Sequence, residues 1–408
     1  MSALVESARA RVGATRHPGR LLEEQGRFRQ VDAIRGLACI SVLVYHVSFR
    51  FPFPRSQLMQ YLTQHNSGPP AICLVVFFTI SGFVIYRPFV AARWDGKPMP
   101  PLLPYATRRF VRIVPAYWVA LLVAGVWMNE HYLYTPTGFL RYFCFLQLYA
   151  NHTIINGGIP VAWSLSVEMT FYALLPLLAL WARRLGARFG RFGSECAVLV
   201  GMIVVSITYQ VIVLLAMPHT DLTILSVLCF LPGCLDLFAG GMLLAVLSVD
   251  AQRREVKPRW WEIINRYPWL PWLGSAIAIG VAGQIPGGYG RLTSWWLITL
   301  VLKPIGATLL LTPLVFGEDN RGLIRRILGI RPLVFVGTVS YAFYLWHYQL
   351  LLKLEGSLIP HGELYMTVVL IALSLVAGAL SWYLLERPTQ RLAARWLRAR
   401  RAAARAPA

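Results

Sequence analysis

VDAIRGLACISVLVYHVSFRFPF, residues 31–53, is an apolar run long enough to cross a bilayer, yet it carries an arginine and a histidine. A charged side chain at the bilayer centre costs about 2.5–3.5 kcal/mol on insertion scales, so charge in such a run points to a function. Arg35 and His46 are eleven residues apart. At about 100° per residue that interval closes to within about 20° of three full turns, which puts both side chains on one helix face. About 16 Å of helix axis separates them, half of a hydrocarbon core about 30 Å thick. The arginine is expected near one surface and the histidine well inside. Taken singly, each has an ordinary account: an arginine at a helix end snorkels, and a lone buried histidine is commonly a satisfied core residue.

The surrounding composition sets the class. Hydrophobic residues make up 57% and charged residues 14% of the 408, and the mean hydropathy is +0.55, which describes an all-α polytopic membrane protein and excludes a string of soluble domains. A net charge of +21 would suit nucleic acid, but the basic residues fall in short clusters between apolar runs. That pattern belongs to cytoplasmic loops beside an anionic leaflet, and no nucleic-acid partner is expected. The six cysteines, Cys39, Cys73, Cys144, Cys196, Cys229 and Cys234, have neither metal-ligand nor secreted-framework spacing, so they read as packing residues and no metal is expected. Residues 1–30 are polar and Arg-rich without a cleavable apolar core and are expected to form a cytoplasmic tail; 31–388 form the transmembrane domain and 389–408 a second Arg/Ala-rich cytoplasmic tail.

Ten apolar runs of spanning length follow one another, at 31–53, 70–90, 111–128, 161–181, 196–217, 224–247, 268–285, 292–316, 333–354 and 364–385. An eleventh, 139–150, is short and contains Arg141, so it is expected to lie in the interface or re-enter. With ten crossings of the inner membrane and both termini cytoplasmic, 32 of the 39 Lys and Arg fall on the cytoplasmic side and Arg35 and Lys303 within spans, the outer side keeping Arg50, Arg55, Arg141, Arg291 and Lys353. An eleventh crossing would turn every later arginine cluster outward, against the positive-inside bias. The longest outer segment, 128–160, is Asn-, Gly- and Tyr-rich and is suited to covering a site. Prolines inside the runs, among them Pro115, Pro176, Pro304 and Pro313, suggest kinks around a cavity.

This topology allows depths to be compared. His46, Glu168 in WSLSVEMTFY and His347 in SYAFYLWHYQL all fall about 10 Å below the outer surface. A carboxylate that holds an imidazole by its second nitrogen makes a competent general base, so Glu168 is the expected partner of His46, with Trp163, Ser164, Ser166 and His347 as support. Spacing does not say which helices touch. At the inner surface TRRFVRIVPAY, residues 107–117, sets Arg109 and Arg112 three apart, neighbours on a helix surface. They read either as topological anchors or, together with Arg35, as a bidentate phosphate site for an anionic cytoplasmic cofactor. Asp32, three residues before Arg35, is expected to pair with it. Asp236 and Lys303, both near mid-membrane, read as a structural ion pair. FFTISG, 77–82, offers a small-residue break where backbone approaches a ligand.

In order, DAIRGLACISVLVYH, FFTISGFVI, RRFVRIVPAYW, WSLSVEMTFYALLP, SYAFYLWH and the ERP at 386–388 resemble the acyltransferase-3 family of integral membrane O-acyltransferases. The resemblance covers nearly the whole hydrophobic region. It implies a ten-span fold that moves an acyl group, acetyl by default, from cytoplasmic acyl-CoA to a hydroxyl of a sugar-containing acceptor such as an envelope glycan, a mycolate-type glycolipid or a macrolide sugar. The family's first-span Arg and His correspond to Arg35 and His46, its RxxR pair to Arg109 and Arg112, and its glutamate to Glu168; the arginines are associated with acyl-CoA and the histidine with transfer. Some members carry a fused esterase-like domain, and this chain is expected to act without one. Acyl transfer needs a base for the hydroxyl, donors for the oxyanion and a cradle for phosphates, which these residues supply. It also requires the pantetheine arm to reach about half way through the bilayer. The competing classes are a secondary transporter, against which the lack of an internal repeat argues, and a lipid-linked sugar polymerase or ligase, which would want a longer polar outer loop.

Overall fold

A computed structural model of the chain describes residues 28–50, 69–151, 158–217, 223–284, 294–317 and 322–403, and among the described residues every regular element is helical. The tail up to residue 27, Arg55 and Arg291 lie outside the described residues. The main helices are α1 (Arg29–Arg50), α2 (Pro69–Trp94), α3 (Leu102–Trp127), the short α4 (Pro136–Phe143) and α5 (Gln147–Asn151), α6 (Trp163–Ala216), α7 (Thr223–Leu228), α8 (Leu231–Arg253), α9 (Arg259–Arg266), α10 (Trp269–Gln284), α11 (Ser294–Phe316), α12 (Leu323–Leu328), α13 (Arg331–Leu358), α14 (Glu363–Ser381) and α15 (Arg387–Ala403). Seven helical stretches are long and apolar enough to cross a membrane, as a polytopic membrane protein requires.

Two of the apolar runs share α6. At Gly190 its backbone turns to φ 69°, ψ −178°, a conformation open to glycine and costly for a residue with a Cβ. The Arg93 guanidinium donates to the Ala179 carbonyl at 3.1 Å and also pairs with Glu195. On a straight helix those two positions would stand about 24 Å apart, so the chain folds back at Gly190 and the runs 161–181 and 196–217 are separate. By contrast the run 224–247, read as one span, is broken: Phe230 is extended (φ −61°, ψ 155°) ahead of Pro232 in the first turn of α8. The short run 139–150 divides into α4 and α5, with a turn between them in which Phe145 has φ 61°. Thr135 caps α4, accepting from the Gly138 amide at 3.1 Å, and Pro136 fills its first turn.

Helices α1, α2, α6, α8 and α13 enclose the centre; α1 packs on α13 and α2, α2 on α8, and α8 on α6. Small residues let the backbones approach. A Cβ at Gly36 or Gly337 would strike the facing main chain of α13 or α1, and one at Gly82 or Gly241 the facing main chain of α8 or α2. The Gly36–Gly337 contact fixes the register of α1 against α13.

Prolines act here chiefly through the carbonyls they release. Pro176 has no N–H for the Tyr172 carbonyl one turn back, and the Tyr105 hydroxyl donates to it instead at 2.8 Å. That bond ties the start of α3, which carries Arg109 and Arg112, to α6. Asp236 departs from expectation: its carboxylate accepts from Ser206 at 2.8 Å, and Gln210 supports Ser206 at 3.2 Å. Lys303 lies within electrostatic reach of Cys229, and among the described residues no ion pair joins it to Asp236. The two side chains sit on neighbouring helices but turn to different partners.

Candidate active site

A cavity lies between α1, α2, α3, α6 and α13. Arg35 and Arg112 line one end and Ser164 and Tyr344 the other, with Cys39, Glu168, Tyr172 and Tyr341 between them. The helical periodicity of α1 brings Arg35 and Cys39, four apart, onto the same wall. Phe77 and Phe78 of the FFTISG stretch close one side.

At the arginine end, Arg112 lies within electrostatic reach of Arg35 and Arg109, and of the acidic Asp32 and Glu386. Arg109 is stacked on Tyr172, its guanidinium carbon 5.9 Å from the ring centroid, and its buried Nε has no hydrogen-bond partner among the described residues. Glu386, only 3% exposed, is carried inward by the single π-turn Trp382–Glu386 between α14 and α15. Such turns rotate side chains out of the α-helical register and recur at functional sites. The Glu168 carboxylate accepts from Ser81 at 2.6 Å.

Beyond the Ser164–Tyr344 end, off the cavity wall, two histidines meet. His46 Nδ1 and His347 Nε2 are 3.0 Å apart, and His347 Nδ1 is 2.7 Å from the Tyr344 carbonyl oxygen. His347 is fully buried, and the Tyr348 and His46 rings meet edge to face with their centroids 4.8 Å apart. Tyr344 connects this pair to the cavity. Its carbonyl faces His347, while its hydroxyl donates to the Val161 carbonyl at 2.7 Å and lies 3.0 Å from Ser164 Oγ. Described parts of the segment 128–160 are fastened near this end: Gln349 donates to the Gly158 carbonyl at 2.8 Å and the Gly158 amide to Glu130, while Lys353 donates to the Trp127 carbonyl just before the segment at 3.2 Å.

The sequence-level pairing of His46 with Glu168 is therefore corrected. His46 has His347 as its partner, and Glu168 has Ser81. Equal counts from the ends of two helices imply equal depth only if those helices begin at one height, and here they do not. Ser164 is level with Tyr344, so Glu168, a turn further along α6, lies about 10 Å from the histidines along the bundle. Arg35, Arg112, Glu168 and Ser164 are brought to one cavity, whereas Arg109 stands behind Tyr172. Asp32 faces the same arginine group. Ser166 and Trp163 are not on the cavity wall, and the Ser166 hydroxyl is buried without a hydrogen-bond partner among the described residues. Reading the sequence missed Tyr344, Ser81 and Glu386 as individual residues, although each lies in a stretch singled out, SYAFYLWH, FFTISG and ERP.

The chain is 27% identical to acyltransferase MdmB of Streptomyces mycarofaciens over 93% of this chain and 95% of that one. It is 22% identical to the peptidoglycan O-acetyltransferase OatA of Listeria monocytogenes over 88% of this chain and 55% of that protein. No solved structure matches. The acyltransferase domain profile, Acyl_transf_3, matches residues 28–387, nearly everything between the two tails. A helical membrane bundle around a charged cavity, matched over that length, belongs to the acyltransferase-3 family of membrane acyltransferases.

Proposed function

We propose that the protein takes an acyl group from cytoplasmic acyl-CoA and transfers it to a hydroxyl of a sugar-containing acceptor, across the inner membrane in which it sits with both termini cytoplasmic. One observation carries the reading: a cavity has two guanidinium groups at one end and, at the other, Tyr344, whose carbonyl faces one of a pair of histidines behind the wall. Guanidinium suits the CoA phosphates because its donors match phosphate oxygens in pairs. Arg35 and Arg112 hold them directly, with Arg109 adding charge from behind Tyr172. The thioester arm then lies along the cavity, where Glu168, already accepting from Ser81, offers its second oxygen to the arm's amide N–H groups. His46 takes the proton of the acceptor hydroxyl as it attacks the thioester carbonyl, and the departing sulfur leaves as the CoA thiol. Acetyl is the proposed group. The acceptor class follows by likeness to relatives named a peptidoglycan O-acetyltransferase and an acyltransferase.

Purified protein supplied with acetyl-CoA and candidate sugars, with free thiol measured and products weighed by mass spectrometry, tests the reading. Thiol release matched by one acyl increment on an acceptor supports it. Movement of an unchanged solute across proteoliposomes without thiol release assigns a transporter instead. Acyl-CoA binding that is as tight with Arg35 and Arg112 both replaced by Ala would remove the phosphate assignment.

A further inference from the structure

We propose that His347 is a positioning residue that fixes the tautomer of His46, so that Nε2 of His46 is the atom that accepts the hydroxyl proton. This rests on His46 being the base of the transfer reaction and deepens that reading.

The proton positions follow from one backbone group. A carbonyl oxygen only accepts hydrogen bonds, so at 2.7 Å from the Tyr344 carbonyl, His347 Nδ1 carries a hydrogen. The reverse arrangement would point one lone pair at another. His347 is fully buried between the Phe343 and Tyr344 rings, in an apolar slab where an unpaired cation is costly. The ring is therefore neutral, and its Nε2 holds a lone pair. That lone pair faces His46 Nδ1 at 3.0 Å, so His46 Nδ1 is the protonated nitrogen. The remaining nitrogen of His46, Nε2, is left with its lone pair. The register that makes this possible comes from the Gly36–Gly337 crossing of α1 and α13.

The step balances. The acceptor O–H proton passes to His46 Nε2 as the oxygen bonds to the thioester carbon. Collapse of the tetrahedral intermediate breaks the C–S bond, and the same proton leaves on sulfur to give the thiol. In between, His46 is an imidazolium whose Nδ1–H still donates to His347, so the hydrogen bond strengthens as charge develops. A bond worth more at that stage than in the ground state lowers the barrier and leaves binding unchanged.

Two substitutions of similar polarity separate this role from simple packing. His347→Gln places an amide oxygen about where Nε2 stood and so keeps an acceptor for His46. His347→Asn is one methylene shorter and leaves its amide near the former Nδ1. We expect kcat to fall about 100-fold in His347→Asn, the lower end of a general-base contribution, and to stay within about tenfold of the parent in His347→Gln. KM for the acceptor and Kd for acetyl-CoA should stay within about twofold in both. The inference is overturned if Gln and Asn lower kcat equally while binding acetyl-CoA normally, or if His347→Asn has parental kcat. If either variant loses acetyl-CoA binding, His347→Gly assayed with added imidazole serves in its place: recovery of kcat supports the role and its absence overturns it. His46→Ala is the control. If it is inactive while His347→Asn is fully active, only this inference fails; if it is fully active, the underlying reading of His46 fails.

Discussion

Among the described residues no protein hydrogen bond holds Arg35 or Arg112, although both line open space, whereas three of the four ring nitrogens of His46 and His347 are engaged by one another or by a carbonyl. Free charged donors beside a cavity are suited to a ligand that arrives with its own acceptors. Engaged neutral rings are suited to moving one proton without first losing a partner. The region thus divides by the kind of group left unsatisfied, charge on the cavity wall at Arg35 and Arg112 and a histidine pair beyond Tyr344 at the other end. The division predicts that damage at the two ends will show in different constants.

The largest effect is expected at the lone pair. His46→Ala should lower kcat by about 10²–10⁴-fold, the range that general-base catalysis supplies, with acetyl-CoA affinity unchanged. A large loss of acetyl-CoA affinity in that variant would break the division. Next in size is a charge that looks as if it belongs to the arginine end but is structural. Glu195 is fully buried, accepts from Tyr86 at 2.6 Å and Trp94 at 3.2 Å, and pairs with Arg93. Removing one member of a buried pair strands the other, at a cost of about 3–5 kcal/mol. Glu195→Ala should lower the melting temperature of the detergent-solubilised protein strongly, while the folded fraction binds acetyl-CoA as before. Smaller still is the binding effect of one cavity arginine. A hydrogen bond to a charged group contributes about 1.5–3 kcal/mol, so Arg112→Ala should weaken acetyl-CoA binding about 10- to 100-fold and leave kcat at saturation within about threefold of the parent. Added salt should weaken the parent's binding more than the variant's if phosphate contacts are the cause.

How much of this was legible in the sequence depended on whether a feature was local to one helix. The placement of Arg35 and His46 on one helix follows from the apolar run they share, and the described parts of the apolar runs lie largely on helix, the run 224–247 being interrupted at Phe230. His347 was found by its depth. Glu168 was given the wrong partner by the same reasoning, because helix α6 starts lower in the bundle relative to α13 than equal counting assumes. Glu195 was overlooked because it follows the arginine cluster 183–191 and reads as part of an exposed loop. Only the reversal at Gly190 shows that Arg93 of α2 reaches it. The break at Phe230 was hidden by an unbroken apolar run, since hydropathy is blind to a backbone turning extended before a proline. Partnership between helices is set by crossing points such as Gly36 with Gly337, which a single sequence does not disclose.

Two residues beyond Arg93, Asp95 offers the smallest test, and it sets the scale for the others. Asp95 forms an ion pair with Arg253 just past the apolar end of α2, and both side chains are about one third exposed, 35% and 31%. The hydrogen bond from Arg253 holds the Asp95 carboxyl below its ordinary value of 3.8. A carboxyl depressed in the folded state adds stability that is complete above its unfolded value and is lost as pH falls through the folded one. Asp95→Asn should therefore be less stable than the parent at pH 7, by about 0.2–1 kcal/mol as for other solvent-screened pairs, and the difference should close by about pH 2 and shrink in high salt. Arg93 and Asp95 stand at the same end of one helix and each pairs with a residue of a neighbouring helix, so burial is the main variable between them. If Asp95→Asn proved as damaging as Glu195→Ala, water would not be what separates a structural charge from a marginal one here. The open state of Arg35 and Arg112 would then lose its meaning as a sign of a ligand, because missing partners mark a binding site only where desolvation is costly in the bundle and slight at its edge.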